Sequence, residues 1–98
     1  MYKKGFWYVY LLLCDQKTFY VGITPEVRIR IQDHISKEPL YTRRFSEVKL
    51  LYCEKYTTKH KAALREKQVK GWSHVKKQML IDRKIDDPHC IELDEVLG

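Results

Sequence analysis

Apolar and polar positions along the chain predict two short strands followed by a helix. Residues 6–13 form an unbroken apolar and aromatic run whose length suits a buried strand. A polar turn over residues 15–17 separates it from a second run over residues 18–23, so the two strands form a hairpin. We expect Thr24 to cap the next helix and Pro25 to occupy its first position, where a missing N–H costs nothing. Gly22, at the end of the second strand, marks a close approach to the backbone.

The first helix has an inward face that mixes apolar and polar side chains. Its inner positions recur at helical spacing: Val27, Ile31, His34 and Ile35. Arg30 lies four residues before His34, at the edge of this face. A planar guanidinium at that position suits phosphate binding, although an Arg that reaches water and a His that is simply buried and hydrogen-bonded are the alternatives.

A third strand and a second helix follow. Residues 36–46 are expected to form a connecting loop, and residues 47–53 a strand. Thr57 or Thr58 then caps a helix that runs to Lys70.

The last predicted helix begins after Gly71, which we expect in a left-handed conformation, and is capped by Ser73. Its apolar positions are Val75, Met79 and Leu80. The element order is therefore β-β-α-β-α-α, followed by an acidic tail over residues 82–98. The sequence leaves open whether the apolar residues of this tail dock on the body: Ile91, Leu93, Val96 and Leu97.

Glu66 interrupts the apolar stripe of the second helix. On a helical wheel it lies about 40° from Ala62, within the inward-facing side of the helix that Ala62 and Val69 define. A carboxylate at such a position needs a cation, because burying it alone costs several kcal/mol. A hard metal such as Mg²⁺ and a structural ion pair with Lys or Arg both satisfy that need.

Length and charge narrow the class of protein. The chain has 98 residues, enough for one domain, and no apolar run reaches the ~18–20 residues that span a bilayer. Residues 1–81 carry 17 basic and 7 acidic residues, a net charge of +10, whereas residues 82–98 carry 2 basic and 6 acidic residues, a net charge of −4. A body this basic attracts polyanions, of which nucleic acid is the commonest in a cell, although a merely solvated basic surface is the alternative.

The cysteines indicate a reducing compartment. Cys14, Cys53 and Cys90 are scattered, odd in number and without CxxC spacing, which argues against a disulfide framework and a structural zinc site. The N-terminal apolar stretch lacks a small-residue cleavage site and is not predicted to be a signal peptide. We therefore expect a cytoplasmic protein with free thiols.

Five motifs in order resemble the GIY-YIG nucleases. Tyr8-Val9-Tyr10 and Tyr20-Val21-Gly22, with nine residues between them, resemble the paired signature, and Tyr8 stands in place of the first glycine. Arg30 and His34 match a following Arg and His, Tyr41-Thr42-Arg43 resembles a segment of small members, and Glu66 matches a metal-binding Glu on a helix. The resemblance covers roughly residues 6–81 and is nearest to the short YhbQ-like (UPF0213-type) bacterial members.

The resemblance implies a fold and a reaction. The fold is an α/β (α+β) domain over residues 1–81, a small three-stranded mixed sheet flanked by helices, with residues 82–98 as a tail. The reaction is divalent-metal-dependent hydrolysis of phosphodiester bonds, with Mg²⁺ or Mn²⁺ on Glu66 and Arg30 stabilising the charge of the transition state. Tyr20 would position or deprotonate the attacking water, and Tyr10 and His34 are the other proton-transfer candidates. The residue types alone do not decide which of the three is the base.

Binding would rest on basic side chains that track phosphates: Arg43, Arg44, Lys59, Lys67, Lys70, Lys76 and Lys77. Phe45 and Trp72 could stack on bases, although solvated lysines and a core Trp72 are the alternatives. The expected partner is nucleic acid, most readily DNA and not a membrane, with low sequence specificity or specificity supplied by a protein partner. A non-catalytic nucleic-acid-binding module and a subunit that docks on a repair assembly through its acidic tail are the competing interpretations. The tail could also fold over the phosphate-binding face and compete with nucleic acid.

Overall fold

The described part of this computed structural model covers residues 5–36, 44–85 and 87–97. Its three strands and four helices follow the predicted order, with one short helix added at the end. The elements are β1 Trp7–Cys14, β2 Thr18–Thr24, α1 Val27–Ile35, β3 Val48–Tyr56, α2 Lys59–Lys70, α3 His74–Ile81 and α4 Asp94–Leu97.

The sheet is antiparallel throughout and has the strand order β2-β1-β3. The expectation of a mixed sheet is therefore wrong, and the reason is topological. The hairpin makes β2 antiparallel to β1, and α1 returns the chain so that β3 runs in the same direction as β2. Because β1 lies between them, β2 and β3 never pair, and no parallel ladder forms.

Side chains on the two faces of the sheet pack against different helices. On the face that we call the α2 face, Val9 and Leu11 of β1 pack with Ala62 and Val69 of α2 and with Leu80 of α3. On the opposite face, called the α1 face, the buried residues come from β1, α1 and β3: Tyr10, Leu12, Cys14, Val27 and Cys53. The sheet thus forms the middle layer, with α1 and α2 on opposite sides.

The start of α1 differs from the prediction. Thr24 is not its N-cap, because β2 continues through Thr24, which pairs with Tyr8. Glu26 occupies the N-cap position, and its backbone N–H donates to Oγ1 of Thr24 at 3.1 Å. Ile35, predicted on the inner face, is exposed because the helix ends there.

The caps of α2 and α3 agree with the prediction. Oγ1 of Thr58 accepts the N–H of Lys61, and Oγ of Ser73 accepts the N–H of Lys76. Gly71 was expected in a left-handed conformation, which is wrong: its φ is −79°, because the chain passes directly from α2 into α3.

The predicted inner face of α3 is only partly buried. Leu80 is buried as expected, whereas Val75 and Met79 are exposed. The reason lies in how α3 packs: of its residues, Leu80 and Ile81 join the cluster on the α2 face. The other two apolar positions are left on the solvent side.

The C-terminal segment docks on the edge of the sheet. Lys55 donates its N–H to the carbonyl of His89, and Ile91 donates its N–H to the carbonyl of Cys53, so residues 89–91 cover the outer edge of β3. Three of the apolar tail residues then pack on the α1 face: Ile91, Leu93 and Val96. Leu97 remains exposed, although its carbonyl accepts a hydrogen bond from Arg28 at 2.8 Å. The division into a domain over residues 1–81 and a tail over residues 82–98 stays a prediction.

Candidate functional site

Four of the predicted site residues converge on the α1 face. Tyr10 comes from β1, Tyr20 from β2, and Arg30 and His34 from successive turns of α1. The ring centroids of Tyr10 and Tyr20 are 6.2 Å apart, and that of His34 lies 5.8 Å from Tyr10 and 5.2 Å from Tyr20. We call these four residues the tyrosine cluster. Residues distant along the chain meet there because α1 crosses the face on which both tyrosines point.

A directed hydrogen-bond chain runs through the cluster. Nε of Arg30 donates to the hydroxyl of Tyr10 at 3.4 Å, and that hydroxyl lies 3.0 Å from Nε2 of His34. Because a guanidinium has no acceptor, Tyr10 must accept from Arg30 and can give its own proton to His34. The direction of the second hydrogen bond follows the tautomer of His34, because Tyr10 donates to an unprotonated Nε2 and accepts from an Nε2–H.

Burial sets the protonation states of this chain. It lowers the pKa of His34 to about 4, with the positive charge of Arg30 acting in the same direction and Asp33 opposing it. Burial also raises the pKa of Tyr10 well above its ordinary value, although the hydrogen bond from Arg30 opposes this shift. At neutral pH Tyr10 is therefore protonated and His34 is neutral.

Solvent reaches only part of the cluster. Tyr10 and His34 are fully buried, whereas Tyr20 is partly exposed and the Arg30 side chain is 37 % exposed. Nη1 of Arg30 lies 3.7 Å from the carboxylate of Asp33, and solvent weakens this contact. A substrate at the surface can thus touch Tyr20 and Arg30 without any change in the fold.

Gly22 makes room for the Tyr10 ring. A Cβ at this position would lie 2.5 Å from the hydroxyl oxygen and 2.6 Å from Cζ of Tyr10. The predicted close approach is confirmed, and the approaching group is the phenol that links Arg30 to His34. Any side chain at residue 22 would push that phenol out of its hydrogen bonds.

Glu66 lies on α2, the helix that packs on the opposite face of the sheet. Its side chain is 21 % exposed rather than buried, and its carboxylate lies 3.3 Å from Nζ of Lys70, which is 55 % exposed. Within residues 5–36, 44–85 and 87–97, no hydrogen bond or ion pair joins Glu66 to the tyrosine cluster. The same ranges hold no group of three or more His, Cys, Asp or Glu side chains arranged to bind a metal.

One fully buried carboxylate was missed by the sequence analysis. Glu54 of β3 is fully buried and accepts hydrogen bonds from the hydroxyls of Tyr52 and Tyr56, each at 2.7 Å. Nε and Nη2 of Arg65 donate to its two oxygens at 2.9 and 3.1 Å, and Nη2 also lies 2.9 Å from Asp87. The sequence does carry a signal for this site: Tyr52, Glu54 and Tyr56 occupy every second position of β3 and therefore share one face of the sheet. The predicted strand ended at residue 53, so the pattern was cut short.

The predicted nucleic-acid contacts are spread over α2, α3 and the segment before β3. Arg43 lies outside the described residues, and the guanidinium of Arg44 lies 5.1 Å from the ring centroid of Phe45. Of the lysines predicted to contact phosphates, Lys77 is half-buried. The others are exposed: Lys59, Lys67, Lys70 and Lys76. Trp72 is half-buried, with the Arg65 guanidinium 4.9 Å and the Lys76 ammonium 4.3 Å from its ring centroid. Stacking of a base on Trp72 would have to displace one of these cations.

Two surface cavities lie away from the tyrosine cluster. The larger one, of about 250 Å³, is lined by residues at or just before the starts of β1, α1 and α2: Gly5, Phe6, Trp7, Pro25, Thr57, Thr58 and Lys59. The smaller one, of about 160 Å³, lies between α1 and the C-terminal segment. None of the four cluster residues lines either of these two cavities. No helix in the described part of the chain is long and apolar enough to cross a membrane.

Comparisons with known proteins extend over most of the chain. Residues 6–78 match the model of the GIY-YIG catalytic domain. A UPF0213 protein of Natronomonas pharaonis is 37 % identical over 75 residues, which cover 76 % of this chain and 88 % of that protein. A UPF0213 protein of Staphylococcus haemolyticus is 33 % identical over 78 residues, covering 79 % and 95 %. The solution NMR structure of the UPF0213 protein BH0048 from Bacillus halodurans aligns with a TM-score of 0.53 at 35 % identity, covering 81 % of this chain and 85 % of that one.

Proposed function

Since the chain belongs to the GIY-YIG family, we propose that it is an endonuclease that hydrolyses phosphodiester bonds of nucleic acid, most readily DNA, with a divalent cation. The observation that carries the proposal is the hydrogen-bonded set of Arg30, Tyr10 and His34 beside Tyr20, in which Arg30 and Tyr20 are the members that solvent reaches. Hydrolysis of a phosphodiester needs charge stabilisation and an oriented water, and these residue types supply both.

Arg30 is proposed to bind the scissile phosphate. Its Nε is held by Tyr10, so the rest of the guanidinium points to the surface with its orientation fixed. A fixed guanidinium can donate two parallel hydrogen bonds to phosphoryl oxygens. Because the negative charge on those oxygens changes in the transition state, a fixed cation there lowers the barrier.

Tyr20 is proposed to position or deprotonate the attacking water. It is the tyrosine of the cluster that solvent reaches, whereas Tyr10 and His34 are enclosed. A phenolate near neutral pH needs a nearby cation, and Arg30 brings a positive charge to the same cluster. Tyr10 and His34 would then orient Arg30 and Tyr20 rather than touch the substrate.

Glu66 is the side chain proposed to hold Mg²⁺ or Mn²⁺. Mg²⁺ commonly takes one or two protein carboxylates and completes its shell with waters and phosphate oxygens, so a single accessible carboxylate is a chemically adequate donor. Glu66 fits that description, since its partner is one solvated Lys70. When bound, the cation would supply neutralisation of charge on the phosphoryl oxygens.

Metal-dependent cleavage of a substrate panel tests the proposal. Supercoiled, duplex, branched and single-stranded DNA, and RNA, would be incubated with purified protein over a titration of Mg²⁺ and Mn²⁺. We expect Tyr20→Phe, Arg30→Ala and Glu66→Ala each to reduce cleavage by at least about a hundredfold. Arg28→Ala, on the same helix as Arg30, and Glu47→Ala, an exposed carboxylate, serve as matched controls and should cleave normally.

The same assay separates the competing functions. Binding of nucleic acid without cleavage of any substrate at any metal concentration would select a non-catalytic binding module. Cleavage by a pure Glu66→Ala preparation at the wild-type rate would remove the metal assignment while leaving a nuclease.

A further inference from the structure

The buried ion pair of Glu54 and Arg65 is held by several hydrogen bonds that a contribution to stability alone does not explain. The carboxylate is fully buried, both of its oxygens accept from Arg65, and two tyrosine hydroxyls complete its hydrogen bonds. Removing two charges from water costs about as much as their attraction returns, so such a pair contributes little net stability. What a two-point contact between a planar guanidinium and a carboxylate does supply is a fixed relative orientation of β3 and α2.

Arg65 and Glu66 lie on opposite sides of the buried stripe of α2. Ala62 and Val69 mark that stripe, because both are fully buried on the α2 face. At 100° per residue, Arg65 lies about 50° to one side of their mean direction and Glu66 about 50° to the other. A helix that turns Arg65 toward one edge of the sheet therefore turns Glu66 toward the opposite edge.

The sheet order identifies that opposite edge. Arg65 is bound to Glu54 of β3, and β1 separates β3 from β2. The helix α2 contacts all three strands and its buried residues pack on the central strand β1, so it lies over the middle of the sheet with one side toward β3 and the other toward β2. Glu66 is thus directed to the side of β2, the edge strand that carries Tyr20.

We infer that Glu54 and Arg65 are positioning residues for Glu66, setting the rotation of α2 that directs its carboxylate toward the β2 edge where Tyr20 lies. The inference rests on the proposed function, in which Glu66 holds the metal. It adds two residues on the far side of the helix, neither of which touches substrate or metal. Without the pair, α2 can still pack through Ala62 and Val69, but its rotation is no longer fixed.

Two variants that keep the charge balance test this role. Arg65→Lys retains the cation but replaces the two-point fork by a point charge. The double variant Glu54→Gln with Arg65→Gln removes both charges together, so that neither member of this pair is left as a buried, unpaired charge. Asp87→Asn is the matched control, because it removes the other carboxylate bound by Arg65 and leaves the Glu54 contact intact.

Two readouts are needed, one of them independent of activity. In ¹⁵N-labelled protein, added Mn²⁺ should broaden the backbone amide signals around Glu66 and around Tyr20 together. In both test variants we expect broadening near Glu66 to persist and broadening at Tyr20 to weaken, while Asp87→Asn matches wild type. In cleavage assays kcat should fall by at least about tenfold in the test variants, with KM changed less than about threefold.

The outcomes distinguish the inference from the proposed function. Wild-type spectra in which Mn²⁺ broadens neither region would contradict the metal role of Glu66 itself. Wild-type broadening at both regions that stays unchanged in Arg65→Lys and in the double variant, together with wild-type kcat, would overturn the positioning role. Equal losses in Asp87→Asn and Arg65→Lys would assign Arg65 to docking of the C-terminal segment and would likewise overturn it.

Discussion

The hydroxyl of Tyr10 lies 3.0 Å from Nε2 of His34, and both side chains are fully buried. Burial disfavours the charged form of the imidazole and, together with the positive charge of Arg30, lowers the pKa of His34 to about 4. Stability must therefore depend on pH through His34.

We predict that the folded state loses stability as the pH falls from about 6.5 to about 4 because of His34. In this window the unfolded chain protonates the imidazole with its ordinary pKa of 6.5, whereas the folded protein resists protonation until about 4. The unfolded state then binds more protons, so the free energy of unfolding decreases as the pH decreases. The full shift corresponds to a loss on the order of 3 kcal/mol.

His34→Gln isolates this contribution, since its side-chain oxygen can still accept from Tyr10. Urea denaturation of both proteins at pH 7 and pH 4 gives the difference directly, because the other titrating groups are common to both. Identical pH dependence of the two unfolding free energies would show that His34 is not held neutral by burial.

Gly22→Ala should damage the tyrosine cluster. The new Cβ would meet the Tyr10 phenol at 2.5 Å, and the ring can retreat only by leaving Arg30 and His34. We expect a loss of about 1–3 kcal/mol in unfolding free energy, as for other overpacked sites, together with reduced cleavage. Gly5→Ala is the control, because nothing lies within 4 Å of its Cβ position. Equal stability of the two variants in thermal and urea denaturation would rule out the steric role of Gly22.

Substitutions of Glu54 on β3 and of Glu66 on α2 should have opposite effects, one on stability and the other on activity. Glu54→Ala removes the buried acceptor of two tyrosine hydroxyls and leaves Arg65 with Asp87 as its carboxylate partner, which should cost about 3–5 kcal/mol. Glu66→Ala breaks a solvated pair with Lys70 and should cost less than about 1 kcal/mol while abolishing most cleavage. Urea denaturation and cleavage of the same preparations give both quantities. A large stability loss in Glu66→Ala would indicate the structural ion pair that the sequence left open.

Local signals explain how much of this fold could be predicted. The element order follows from apolar periodicity, and Thr58 and Ser73 cap their helices because the donors they bind lie three residues away in the chain. The meeting of Glu54, Arg65 and Asp87 depends on packing between distant elements, and no local pattern encodes it. Glu66 shows the same limit, since the helical wheel places it near the buried stripe, whereas its actual exposure depends on how α2 lies on the sheet.

The docked acidic segment should weaken binding of nucleic acid through charge alone. The apolar residues of its docked part pack on the α1 face, which also carries the tyrosine cluster, and three carboxylates of residues 89–97 are exposed: Glu92, Asp94 and Glu95. Deleting the segment would uncover the edge of β3, so neutralising substitutions are the cleaner test. We expect Glu92→Gln, Asp94→Asn and Glu95→Gln together to tighten DNA binding at low salt and to have little effect at high salt, where these charges are screened. Fluorescence anisotropy of a labelled oligonucleotide at about 50 and 300 mM salt measures this, since the salt range spans strong and weak screening. Equal affinity of the two proteins at low salt would mean that the acidic segment does not compete with nucleic acid.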